Sequence, residues 1–125
     1  MARFLVVLAV AAVGSLLLAI PAHAQNVDAG QKAFKQQCNI CHDVAQGKNR
    51  IGPSLFAVVG RKAGTESGFN YSDATKNSGL TWDQAELNKY LADPRGTVPG
   101  TKMTYAGVKN DEQRHDLIAY LATLH

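Results

Sequence analysis

Both cysteines of this 125-residue chain fall within the five-residue run Cys38-Asn39-Ile40-Cys41-His42, and that cluster constrains the fold more than any other feature. A disulfide between them would close a tiny loop, and the stabilisation from a crosslink grows with the length of chain it encloses. The pair therefore needs another purpose. The apolar side chains sharpen that need, because they are sparse between Asp43 and Asn70. Without its first two dozen residues the chain has about 100, near the lower size limit for a self-sufficient core. Something other than side chains is expected to fill the centre.

Those first residues read as an address. Arg3 gives a positive start, positions 4–20 are apolar apart from Gly14 and Ser15, and Ala22-His23-Ala24 forms an A-x-A cleavage site before Gln25. This is the pattern of a secretory signal peptide over residues 1–24, followed by one domain over 25–125. An uncleaved membrane anchor is the competing reading, since the apolar run is intermediate in length; the small-residue site favours cleavage. Removal takes Arg3 but no acid, leaving twelve basic against ten acidic residues. So mild an excess excludes a nucleic-acid binder and shifts attention to where the charges sit.

Along positions 26–42 the spacing predicts a helix, with Asp28 as N-cap and Gln31 completing a capping box. Gly30, Ala33, Phe34, Gln37, Cys38 and Cys41 share one face, which puts both thiols on the inward side of its last turn. Gly30 costs about 1 kcal/mol relative to Ala inside a helix, so close approach of another backbone is expected there. Positions 43–71 read as loops, with a short helix starting at Ser54. Further helices are expected over 71–77 and over 81–91, the latter capped by Thr81. Asp93-Pro94 ends that helix, and 95–109 shows no helical period. The clearest helix is 110–124, with Asn110 as cap and Leu117, Leu121 and Leu124 on one face. Strand patterns are absent, so the expected class is all-α.

Cys38-Asn39-Ile40-Cys41-His42 matches the C-x-x-C-H pattern of covalent haem attachment. Two thiols one turn apart can add to the two vinyl groups on one haem edge, and the next histidine falls beneath the iron. A thioredoxin-like dithiol instead begins a helix after a strand, whereas this pair ends a helix with no strand before it. A structural zinc site needs further ligands, and only His115 and His125 remain after processing, both remote. For the sixth iron ligand, Met103 is the sole methionine outside the leader and lies in an irregular loop of poor core sequence. His115 falls opposite the leucine face of the last helix and is expected at the surface.

With these residues in view, the chain resembles the soluble class I cytochromes c of mitochondria and bacterial periplasms over nearly all of 27–124. Gly30 and Phe34, the haem motif, Gly52-Pro53-Ser54-Leu55, Gly60-Arg61-Lys62-Ala63-Gly64-Thr65, Pro99-Gly100-Thr101-Lys102-Met103 and Asp116-Leu117-Ile118-Ala119-Tyr120-Leu121 occur in family order. The resemblance implies a small fold of crossed first and last helices, with shorter helices and long loops wrapped around one covalent haem c. It implies a Pro53 carbonyl bonded to the free nitrogen of His42, Leu55 packed on the haem, and Arg61, Tyr71 and Trp82 near its propionates. It also places Tyr90 and Thr101 beside the Met103 ligand. Two departures are a Thr75 where many members have Asn, and a loop after His42 that is one residue shorter than in mitochondrial forms.

The implied function is single-electron carriage by a low-spin haem ligated by His42 and Met103, in the periplasm, by a monomer that is not an enzyme. The implied partners are membrane redox complexes, such as a cytochrome bc complex, terminal oxidase or photosynthetic reaction centre, or a periplasmic dehydrogenase. Lys32, Arg50, Arg95, Lys102 and Lys109 match basic docking positions, while Gln37 and Gly96 replace expected lysines. The main rival is an open-site haem protein, gas-binding or catalytic, which would leave the iron without a methionine.

Overall fold

The computed structural model describes residues 24–125, so the leader proposed for residues 1–24 lies, but for Ala24, outside the described residues. Five helices follow in order: α1 (Val27–Gln37), α2 (Asp73–Lys76), α3 (Gln84–Ala92), α4 (Pro94–Thr97) and α5 (Asp111–Leu121). Among the described residues the only β pairing is an isolated antiparallel bridge between Lys62 and Thr81. No described helix is long and apolar enough to cross a membrane. The all-α expectation stands.

α1 and α5 form the frame. α5 begins where its sequence places it, with the Asn110 side chain accepting from the Gln113 amide at 2.8 Å and Asp111 and Glu112 in the first turn. Carboxylates there face the positive end of the helix dipole. Gly30 allows α1 to cross α5: a Cβ at this position would lie 1.9 Å from the Asp116 carbonyl oxygen. One turn on, the rings of Phe34 and Tyr120 pack with centroids 5.6 Å apart, beside the wholly buried Leu117. Asp116 also accepts from the Asn26 amide at 2.8 Å, tying the start of α1 to the middle of α5.

The buried Arg114 fastens this frame to the rest. Its guanidinium donates to Asn88 on α3 at 2.7 Å, to the Val108 carbonyl at 2.9 Å and to Asp111 at 2.6 Å. Each buried donor meets an acceptor, which is the condition for burying such a group at modest cost.

Several local boundaries differ from the sequence expectation. Asn26, not Asp28, caps α1, its side chain accepting from the Ala29 amide at 3.0 Å, which leaves Asp28 in the first turn. Both residue types cap well, so tertiary contact chose between them. α1 ends at Gln37, and Cys38 to His42 continue as a separate turn in which the Cys41 and His42 amides both bond to the Cys38 carbonyl at 3.0 Å. No helix starts at Ser54; its hydroxyl donates to the Ala45 carbonyl at 2.7 Å and stitches two loops together. Asp83, not Thr81, caps α3, because Thr81 is held in the bridge with Lys62. Within the stretch expected to be irregular, Pro94–Thr97 forms one helical turn, with Pro at its start and Asp93 accepting from the Gly96 amide at 3.0 Å.

Candidate functional site

The helices and loops enclose a cavity of about 480 Å³, within the range of small-molecule and cofactor sites. Its wall takes residues from every stretch the sequence singled out. Cys38, Cys41, His42, Pro53, Leu55, Arg61, Tyr71, Trp82, Tyr90, Thr101 and Met103 all line it. Val58, Leu87, Leu91, Leu117 and Leu121 are among its other apolar lining residues.

His42 sits on one wall with its orientation set. Nδ1 lies 2.7 Å from the Pro53 carbonyl oxygen. A carbonyl only accepts, so Nδ1 carries the proton and Nε2 keeps its lone pair. Burial lowers the His42 pKa, opposed by the Pro53 hydrogen bond and reinforced by the charge of Arg61. A neutral imidazole with one free lone pair is a competent metal ligand.

The two thiols stand past the C-terminal end of α1. Burial, with the neighbouring Cys41, pushes the Cys38 thiol up to about 11. Redox-active dithiols work through the opposite shift, with pKa values lowered at a helix N-terminus. The Cys38 shift runs against the dithiol reading.

Elsewhere on the same wall, Tyr90 and Thr101 share a hydroxyl hydrogen bond of 2.9 Å, and Thr101 Oγ1 accepts from the Met103 amide at 3.3 Å. Burial raises the Tyr90 pKa, so its hydroxyl stays protonated for this contact. The Trp82 and Tyr90 rings stack at a tilt with centroids 4.7 Å apart.

Arg61 is largely committed to the protein. Its Nη1 donates to the Phe56 carbonyl at 3.1 Å and pairs with Glu66 at 3.0 Å, and its Nη2 donates to the Ser54 carbonyl at 3.0 Å. Of five guanidinium N–H groups, these use three. Tyr71 accepts from the Glu66 amide at 3.2 Å, which leaves its own O–H proton available to an acid in the cavity.

All five basic residues proposed for docking are exposed, but they do not form one ring against the cavity. Lys102 is on its wall, donating to the Asn70 carbonyl at 3.0 Å. Arg50 flanks it, donating to the Asn39 carbonyl at 2.6 Å, while Lys109 bonds the Ala92 carbonyl at 2.6 Å. Lys32, Arg95 and Lys109 are not part of the wall. His115 is exposed on α5, as expected.

Among the wall residues that the sequence reading assigned no role are Ile40, Ile51 and Tyr105. Ile40 and Ile51, 74% and 76% exposed, both line the cavity, and the segments that carry them are joined by the Gly52 amide bonding the Cys41 carbonyl at 2.8 Å. Tyr105 donates from its hydroxyl to the Gln37 side chain. A large aromatic in a loop of small residues was the available signal for Tyr105; isolated isoleucines carry none.

A family model described as cytochrome c matches residues 27–125. The chain is 54% identical over 99 residues to cytochrome c2 of Rhodoplanes tepidamans, covering 78% of this chain and 92% of that protein. It is 58% identical over 97 residues to cytochrome c2 of Rhodomicrobium vannielii, covering 77% of each. The solved structure of cytochrome cH from Methylobacterium extorquens matches with a TM-score of 0.74 at 50% identity, over 78% of this chain and 98% of that one.

Proposed function

Because the chain belongs to the cytochrome c family, whose members carry electrons rather than catalyse reactions, we propose that it shuttles single electrons with His42 and Met103 as its two iron ligands. The family carries one covalent haem c, and Cys38 and Cys41 are the thiols that match its attachment. When bound, that group supplies a one-electron couple whose potential a thioether ligand raises.

One observation carries the ligand assignment. His42 and Met103, far apart in sequence, line the same cavity as both cysteines. The Pro53 hydrogen bond orients the imidazole, and Tyr90 with Thr101 shapes the loop that presents Met103. Arg61 and Tyr71 offer donors to the cofactor's acids, with Arg61 acting mainly by its charge and by holding the surrounding loops. Apolar walls exclude water, so little solvent reorganises as the charge changes.

Its partners are redox complexes. We assign them to the membrane and periplasm: a cytochrome bc complex with a terminal oxidase or photosynthetic reaction centre, or a periplasmic dehydrogenase. Export through cleavage after Ala24 is consistent with the leader pattern. Lys32, Arg50, Arg95, Lys102 and Lys109 favour acidic partner surfaces, and Ile40 with Ile51 gives such a partner an apolar contact at the rim.

The test is the visible spectrum of the ferric holoprotein. A weak far-red sulfur-to-iron band that vanishes in Met103→Ala, together with indifference to carbon monoxide in the ferrous form, is expected. Covalent haem without that band in the wild type would transfer the case to an open-site, gas-binding or catalytic protein.

A further inference from the structure

The cavity wall beyond Met103 is built from Thr104, Tyr105 and Ala106, and this stretch is poorly fastened. Before it, Lys102 bonds the Asn70 carbonyl at 3.0 Å, and Thr101 bonds Tyr90 at 2.9 Å. After it, the Val108 amide bonds the Leu91 carbonyl at 2.7 Å, and Lys109 bonds the Ala92 carbonyl. Between these anchors, the only hydrogen bond made by residues 104–107 to the described residues runs from the Tyr105 hydroxyl to Gln37 Oε1. Gly100 and Gly107, with φ of +92° and +107°, bracket the loop at positions where the backbone adopts what other residues resist.

Gln37 is a rigid place to fasten to. It is the last residue of α1, directly before Cys38, so its backbone is held by the helix and by the crossing with α5. The contact spans 68 residues of sequence and closes the cavity rim between the cysteine segment and the methionine segment.

We infer that the Tyr105 to Gln37 hydrogen bond is the catch that keeps the Met103 loop shut over the cavity, making both side chains positioning residues for the sixth iron position. This rests on Met103 being that ligand. With the loop open, hydroxyl and amide both bond water, so the catch contributes the net value of one hydrogen bond. That is a factor of about five in the opening equilibrium. A small ligand that binds only the open form has its apparent affinity reduced by the closed fraction, so loosening the catch strengthens it by the same factor.

Imidazole added to the ferric holoprotein reads this directly, by the change in its absorbance and the loss of the far-red band. Tyr105→Phe and Gln37→Leu each remove one half of the contact, and both should bind imidazole about fivefold more tightly than the wild type. The binding rate at saturating imidazole, which reports loop opening, should rise as well. The double variant should match either single one, because the two changes delete one interaction. A wild type with the far-red band, but with imidazole affinity unchanged in both variants or additive effects in the double, overturns the catch alone. A wild type without the band overturns the Met103 assignment and the catch with it.

Discussion

His42 donates from Nδ1 to the Pro53 carbonyl oxygen across 2.7 Å, and the residue between His42's ring and that proline is a glycine for a steric reason. A Cβ on Gly52 would lie 2.3 Å from Cε1 and 2.6 Å from Nδ1 of the imidazole. Ring orientation, tautomer and backbone path are therefore one arrangement. Gly52→Ala must push the ring off its carbonyl, and overpacking of this kind costs about 1–3 kcal/mol. Guanidinium unfolding of the holoprotein should show that loss together with a changed ferric spectrum; an unaltered midpoint and spectrum would contradict the arrangement.

Gly30 faces a harder obstacle, because the atom in the way is backbone. A methyl group there meets the Asp116 carbonyl at 1.9 Å, so α1 has to move off α5. Gly30→Ala raises intrinsic helix propensity by about 1 kcal/mol, and the clash should outweigh it. The net expectation is a destabilisation of up to about 2 kcal/mol, seen as a lowered thermal midpoint. A rise in midpoint would mean that propensity wins and the helices cross with room to spare.

Removal of the haem should unfold the chain. Empty apolar volume costs roughly 24 cal/mol per Å³, and a cavity of about 480 Å³ then represents on the order of 10 kcal/mol. That matches the whole stability of a typical domain, about 5–15 kcal/mol. A Cys38→Ala, Cys41→Ala chain produced without haem should show little helix by circular dichroism. A helical, cooperatively melting apo-form would sink the idea that the cofactor supplies the core.

Alkaline pH should weaken the fold through tyrosine. Burial raises the pKa of Tyr71 and Tyr90 in the folded chain, while the unfolded chain ionises its tyrosines near the usual value of about 10. Above that pH the unfolded state loses protons that the folded state retains, so stability is complete below about pH 10 and declines as pH rises toward the folded values. Tyr90→Phe should flatten the decline in denaturation midpoint above about pH 10. An equal slope in the variant would assign the effect to other groups.

Docking should separate into a salt-dependent and a salt-independent part. Charge reversal at Lys32 or Arg95 should slow reaction with an acidic redox partner several-fold at low salt, and the difference should disappear near 1 M, where the Debye length is about 3 Å. Ile40→Ser should slow the reaction by a similar factor at every salt concentration, since its contact is apolar. Stopped-flow electron transfer with a membrane redox complex distinguishes the two. Rates that ignore ionic strength in the wild type would exclude electrostatic steering.

The chemistry was legible because it is local. The Cys38, Cys41 and His42 spacing, one methionine outside the leader, and the caps and leucine face of α5 each follow from residue type and order along the chain. Gly30 announced a close crossing because no local reason explains a glycine there. Boundaries were less legible: Asn26 and Asp83 displaced Asp28 and Thr81 as caps, since several residues can cap equally well and only packing selects among them.

By itself, then, the sequence determined an all-α chain whose Cys38 and Cys41 pair matches the attachment of one covalent haem. Tertiary structure alone decided which residues share the cavity wall, that Arg61 spends most of its donors on loop carbonyls and Glu66, that Ile40 and Ile51 both stand exposed on that wall, and that Tyr105 reaches Gln37. The physical reason is distance along the chain. Helix periodicity and capping act over a few residues, whereas a hydrogen bond between positions 68 apart depends on how every intervening segment packs.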